Sequence, residues 1–177
     1  MTSTKPPGPK PSRQWKKGTP SAIKRRLGLP CMSVKTFVDT NILLYAYHRD
    51  AGNKHEKAKA VLAELWENNN GTISAQVLQE FYVNLTRKVA SPLSPKEAME
   101  LVAQFLHWEV IPIQGGMVTE AAALGEKYKI NFWDAMIVVA AQRTGSKIIL
   151  SEDLQSGMKF EGVVVQNPFT SGDLKSF

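Results

Sequence analysis

The sequence predicts an α/β fold built on a parallel sheet. Short runs of β-branched and aromatic residues alternate with helix-length amphipathic segments along the chain. Capping residues stand at several of the junctions, and the run Ile148-Ile149-Leu150 is apolar throughout, as strands buried on both faces are. Strand–helix alternation of this kind favours parallel strands joined by helical crossovers.

The first strand is read at Thr36-Phe37-Val38, and Thr40 or Asn41 is placed to cap the helix that the apolar run from Ile42 begins. Asp39 thus falls where a strand ends and a helix starts, the edge at which open α/β sheets bind ligands. A carboxylate in an apolar run stays ionised only when paired, hydrogen-bonded or metal-bound. Asp39 is therefore a candidate first ligand of a metal site.

Asp50-Ala51-Gly52-Asn53 reads as a loop with Asn53 as the next cap, and Ala58, Val61, Leu62, Leu65 and Trp66 form the stripe of an amphipathic helix. Asn68-Asn69-Asn70-Gly71 ends it, with Gly71 as the expected C-terminal glycine. Thr72-Ile73-Ser74 reads as a second strand. The helix from about Ala75 to Val89 buries Leu78, Phe81, Leu85 and Val89, with Glu80 on the flank of that stripe. Ser94-Pro95-Lys96-Glu97 is a capping box with proline at the first helical position, opening a helix that buries Ala98, Leu101, Val102 and Phe105.

Val110-Ile111-Pro112-Ile113 is a candidate strand whose proline marks an edge or a strand end. Gly115-Gly116 breaks the chain before a helix carrying Met117, Ala121, Leu124 and Tyr128. From Asn131, a candidate cap, to Ala141 the chain is apolar nearly all round, the pattern of a helix buried on most sides, with Asp134 in its first turn. Ser151-Glu152-Asp153 follows the strand ending at Leu150, and Val163-Val164-Val165 supplies the last strand.

Composition limits the function classes. The chain has 177 residues, 43% hydrophobic and 21% charged, enough for one globular domain with a core. Residues 1–31 hold eight of the 22 Lys and Arg and no acid, so the net charge of +6 belongs to this leader and the remainder is close to neutral. The Pro-, Lys-, Gly- and Ser-rich leader, residues 1–32, is expected to be disordered. It is either a basic arm for nucleic acid or a vector-derived or mis-started segment, with Met32 as the true start. Residues 33–170 form the expected domain and 171–177 a tail. The single cysteine, Cys31, excludes an internal disulfide and suits a reducing compartment. No apolar run approaches the ~20 residues of a membrane span, and the charged N-terminus lacks the apolar stretch of a signal peptide. A cytoplasmic protein is expected.

Four acids stand apart from the solvated charges: Asp39, Glu80, Asp134 and Asp153. Gathered without a counter-charge, such carboxylates repel one another and take up protons more readily. A hard divalent cation removes that penalty, and Mg²⁺ or Mn²⁺ suits an all-oxygen site. His48, His55 and His107 are scattered in polar settings and support no zinc site. Each acid also has a plain structural alternative: a helix cap for Asp39, a surface acid for Glu80, a helix-dipole partner for Asp134, and a turn residue for Asp153. Glu152 competes with Asp153 for the last place.

Phe37-Val38-Asp39-Thr40-Asn41, Glu80, Phe132-Trp133-Asp134-Ala135 and Ser151-Glu152-Asp153 resemble, in order and spacing, the motifs of the PIN-domain ribonucleases. The toxins of VapBC-type toxin–antitoxin pairs are the group they most resemble, and residues 162–169 are similar to the C-terminal end of one bacterial subgroup. The resemblance spans residues 35–169. It implies a three-layer α/β/α sandwich around a parallel sheet of four or five strands. It also implies Mg²⁺- or Mn²⁺-dependent hydrolysis of RNA, leaving 5′-phosphate and 3′-hydroxyl ends. Asp39, Glu80 and Asp134 match the family's three most constant acids and Asp153 its more variable fourth. Asn41 and Ser151 match positions that orient the site through hydrogen bonds. Asp39 and Asp134 are the expected direct ligands, with Glu80 and Asp153 holding a water or second ion.

The resemblance further implies a homodimer and a small antitoxin partner that inserts a segment over the cleft. Lys35, Arg49, Arg87 and Lys88 are candidates for holding RNA phosphates, with a solvated surface as the plainer alternative. Contact with partners is one reading of Trp66, Trp108 and Trp133, but aromatic residues in such apolar contexts are more often core. A phosphoaspartate phosphatase is excluded because Asn41 and Leu43 occupy the places of its second acid and its Thr or Val. A dinucleotide-binding enzyme is disfavoured because no Gly-x-Gly-x-x-Gly follows a strand. The competing function is a PIN-fold module that docks RNA or protein without cutting.

Overall fold

The structure is a computed structural model that describes residues 34–89 and 91–170. The basic leader of residues 1–32, Cys31 within it, and the tail of residues 171–177 lie outside the described residues. The elements in chain order are β1 (Thr36–Val38), α1 (Thr40–Tyr47), α2 (Asn53–Asn68), β2 (Gly71–Ser74), α3 (Ala75–Arg87) and α4 (Pro95–Phe105). There follow β3 (Glu109–Ile111), α5 (Gly115–Tyr128), α6 (Phe132–Arg143), β4 (Ile148–Leu150), β5 (Lys159–Phe160) and β6 (Val163–Gln166). Among the described residues no helix is long and apolar enough to cross a membrane.

The strands form one sheet in the order β3-β2-β1-β4-β6-β5. β1 pairs in parallel with both β2 and β4, β2 pairs in parallel with β3, and β4 with β6. The five-stranded parallel sheet is as expected. The sixth strand, β5, runs antiparallel to β6, and its two residues carry too short a pattern to be read from sequence. The connectivity runs outward from β1 to β3 on one side, then returns to β4 on the other. The switch point therefore lies between β1 and β4, where a crevice opens at the carboxyl ends of the strands.

Adjacent residues of a strand face opposite sides of its sheet, and β2 shows the two flanking layers. Thr72 Oγ1 bonds Ser146 Oγ at 2.8 Å, just beyond the end of α6, whereas Gly71 packs against the Trp108 ring, just beyond α4. Residues 135–141 of α6 are all buried. On the opposite face an aromatic cluster ties the helices together. Phe105 stands edge-on to Phe81 at 5.7 Å and to Trp108 at 5.3 Å, with Tyr47 and Trp66 around it. Such pairs each contribute about 0.5–1.5 kcal/mol beyond the area they bury.

Several local expectations are met. Ser94 and Glu97 form the reciprocal capping box, and Asn131 caps α6. Pro112 follows directly on β3, which is the edge strand the proline indicated. Others are corrected. Asp39, not Thr40 or Asn41, is the cap of α1, because its carboxylate reaches the Thr40 amide at 2.6 Å. Gly52 rather than Asn53 caps α2. α2 ends on Asn69 in the left-handed region (φ 51°), a conformation asparagine tolerates. Gly71 lies inside β2 instead, and its reason is close approach: a Cβ there would lie 2.7 Å from carbons of the Trp108 indole. Gly115 and Gly116 open α5 rather than precede it, with Gln114 as cap.

Replacing Gly71 with Ala forces the buried Trp108 ring to move, an overpacking cost of about 1–3 kcal/mol. Urea unfolding of Gly71→Ala is expected to show that loss. An unchanged midpoint would mean that the indole gives way freely.

Candidate active site

Asp39 sits one residue beyond β1, with its amide continuing the ladder to Leu150 O at 3.0 Å. Only 8% of the residue is exposed. Its Oδ1 accepts from Thr40 N, and its Oδ2 accepts from Ser151 Oγ at 2.7 Å and Asn41 Nδ2 at 3.1 Å. Ser151 follows β4, so the carboxylate is clasped between the ends of the two central strands. Burial raises its pKa to about 6 against the opposing Ser151 and Thr40 hydrogen bonds, with the Asp153 and Glu80 charges adding to the rise.

The other three acids line the same cavity of about 410 Å³, with Thr40, Asn41, Leu44, Gln76, Asn84, Asn131, Trp133 and Ile137 completing it. Asp153 is tied to Asp39 through a shared donor, since Asn41 Nδ2 also reaches Asp153 Oδ2 at 3.0 Å. Ser151 Oγ in turn accepts from the Asp153 amide at 3.1 Å. Glu80 accepts from Thr40 Oγ1 at 2.8 Å and from Gln76 Nε2 at 3.0 Å. Asp134, in the first turn of α6, accepts from Asn131 Nδ2 at 2.6 Å while Asn131 Oδ1 caps its amide. Partial burial and the charges of Asp153 and Glu80 raise the Asp134 pKa, with the Asn131 hydrogen bond opposing.

Asp39, Glu80, Asp134 and Asp153 are therefore brought together, and Asn41 and Ser151 bond directly to the Asp39 carboxylate. Glu152 is not among the lining residues. It pairs with Lys54, which also bonds Tyr45 Oη. Lys35 is at the opposite edge of the sheet, bonding Glu109 at 2.7 Å and Thr144 O. Arg87 and Lys88 are exposed beyond the cleft, one turn past Asn84, and the Arg49 side chain lies outside the described residues. The three histidines do not line the cavity.

Trp108 is buried as expected and Trp66 half-buried, but Trp133 is 64% exposed at the cavity wall. The buried stretch of α6 begins only at Ala135, so the first-turn tryptophan faces outward. Thr40, Gln76, Asn84, Asn131 and Trp133 escaped the sequence reading as lining residues. A signal existed for two of them: Gln76 and Asn84 lie four residues either side of Glu80, on the same helical flank.

The cavity lining contains no Lys, Arg or His. Four carboxylates there are satisfied by amide and hydroxyl donors alone. Among the described residues no group of three His, Cys, Asp or Glu side chains stands close enough together to hold a metal ion; the four acids line one cavity without forming such a group. The acidic donors are all oxygen, a set whose chemistry suits a Mg²⁺-like cation rather than a zinc-type centre.

The PIN-domain model matches residues 36–156. No curated protein sequence matches the chain. Among solved structures, a toxin–antitoxin complex from Klebsiella pneumoniae superposes with TM-score 0.58 at 21% identity, covering 76% of this chain and 98% of that one. VapC20 from Mycobacterium tuberculosis, described as a sarcin–ricin loop cleaving toxin, gives 0.52 at 20%, covering 67% and 90%. DNA-bound VapBC from Salmonella typhimurium gives 0.55 at 18%, covering 76% and 98%.

With no ion present, folded Asp39 keeps its proton up to about pH 6, above the unfolded value. The folded form then binds more protons, so stability falls as pH rises through that window. A displacement of this size is worth up to roughly 3 kcal/mol. Urea unfolding in EDTA is expected to show this fall for wild type and a flatter profile for Asp39→Asn; equal slopes would place the effect elsewhere.

Proposed function

The chain belongs to the PIN-domain family, and from that membership and the acid cleft we propose that it is a divalent-metal-dependent ribonuclease, the toxin of a toxin–antitoxin pair. The observation that carries the proposal is the convergence of Asp39, Glu80, Asp134 and Asp153 on one cavity whose lining holds no cationic side chain. PIN-domain nucleases generally use divalent metal ions, and this donor set suits Mg²⁺ or Mn²⁺. The neighbouring cleaving toxin and toxin–antitoxin complexes support RNA cleavage and an antitoxin partner. Homodimerisation and cytoplasmic action belong to the same proposal, with residues 33–170 as the nuclease unit.

In this reading Asp39 and Asp134 are the direct ligands, while Glu80 and Asp153 hold a water or a second ion. A divalent ion bound there supplies Lewis-acid polarisation of the scissile phosphate and a nucleophilic water at neutral pH. Ser151 and Asn41 keep the Asp39 carboxylate from rotating, and Asn131 does the same for Asp134. Thr40 and Gln76 hold Glu80 toward the cleft.

Cleavage of single-stranded RNA with Mg²⁺ or Mn²⁺ tests the proposal. Asp39→Asn and Asp134→Asn are each expected to lose more than about 100-fold in rate. Ser151→Ala, which removes an orienting partner, is expected to lose about 10–100-fold. Wild-type rates in both aspartate variants would eliminate the site, and RNA binding without cleavage by wild type would favour the non-catalytic module. A parallel thermal melt is expected to show Mg²⁺ raising the midpoint of the wild type but not of Asp39→Asn.

A further inference from the structure

A polyanionic strand entering this cleft meets four carboxylates and no Lys, Arg or His in the lining. A bound divalent ion offsets the acids at the scissile phosphate, but no side chain of the lining attracts the flanking phosphates, whose charge usually dominates nucleic-acid affinity. Affinity beside the scissile phosphate therefore needs an uncharged source. The lining offers one large apolar surface exposed to solvent: the indole of Trp133, 64% exposed and adjacent in sequence to Asp134. Leaving such a ring in water forgoes the burial that an aromatic side chain ordinarily gains. Phe132 braces it, with ring centroids 5.3 Å apart and planes at 75°. The backbone beneath is held by the Asn131 cap of α6. The ring is thus mounted on a rigid helix start rather than on a loop.

We infer that Trp133 is a base-stacking subsite, on which an unpaired nucleobase flanking the scissile phosphate lies. The inference rests on the ribonuclease reading and deepens it, since it selects strands whose bases are free of pairing at the cleavage point. Every base presents a π-face, so stacking holds the strand without fixing the sequence. Because Asp134 is the next residue on the same helical turn, a base seated on Trp133 fixes the neighbouring phosphate relative to the acids.

The test uses the full-length protein and short fluorescein-labelled single-stranded RNAs of mixed sequence, intact or with one abasic residue stepped along the strand. Binding is read by anisotropy in EDTA, where the strand stays intact, and cleavage by single-turnover rates in Mg²⁺. Trp133→Ala is expected to weaken binding about 5–100-fold, the range of one lost base–aromatic stack, while Trp133→Phe retains most of it. An abasic residue at one position should weaken binding to the wild-type ring by the same factor and have no further effect in Trp133→Ala. Unchanged binding and cleavage in Trp133→Ala overturns the subsite while leaving the nuclease proposal standing. Equal abasic losses with and without the ring also overturn it, as does a Trp133→Ala defect confined to a protein inhibitor. Loss of binding in Trp133→Ala when wild type binds but does not cut supports stacking and removes only the nuclease reading.

Discussion

The hydrogen bond from Ser151 Oγ to Asp39 Oδ2 joins the carboxyl ends of β1 and β4, the two central strands. It exists because the sheet order reverses between them, so that two strand ends widely separated in sequence lie side by side. The same serine oxygen accepts the Asp153 and Leu154 amides, so one hydroxyl positions one carboxylate and shapes the turn that presents another. Asn41 repeats the device by sharing an amide between Asp39 and Asp153. The cleft is therefore a property of the strand junction rather than of any one loop.

Burying and gathering acids without a basic partner has an electrostatic cost: burial first, and the charges of Asp153 and Glu80 after it, raise the pKa values of Asp39 and Asp134. Lysine or arginine in the lining would relieve it and would also occupy the place of an external cation. The chain instead uses uncharged donors: Thr40, Asn41 and Ser151 for Asp39 and its neighbours, Gln76 for Glu80, and Asn131 for Asp134. Helix starts help, since Asp39 caps α1 and Asp134 lies in the first turn of α6, where free amides and the dipole favour negative charge. Lys54 neutralises Glu152, the acid that the β4 turn sends away from the cleft.

The layers behind the site keep it rigid. Residues 135–141 of α6 are all buried, so the helix carrying Asp134 and Trp133 has little freedom to tilt. On the other face, the aromatic cluster around Phe105 locks α3, and with it Glu80, to α1. The cleft thus lies where two independently packed layers meet at the sheet edge.

Much of this was legible in the residue order. Periodicity located the helices to within a few residues, Ser94 and Asn131 marked their caps, and the apolar runs at Phe37 and Ile148 marked the central strands. The acids were legible because each broke an apolar pattern: Asp39 after a strand, Asp134 at the head of a buried helix, Asp153 after Leu150. Local pattern reports what a residue's immediate neighbours require. It says nothing about which of two adjacent acids turns inward, and so left Glu152 and Asp153 undecided until Lys54, from a distant helix, claimed the former. Nor could it show that Gly71 yields to the Trp108 ring, or that Trp133 stands in solvent while the apolar residues following it are buried. Residue order set the alternation of elements and the chemistry of the acids; their company came only with the folded chain, because contacts across the sheet depend on strand order and crossover, which no local spacing encodes.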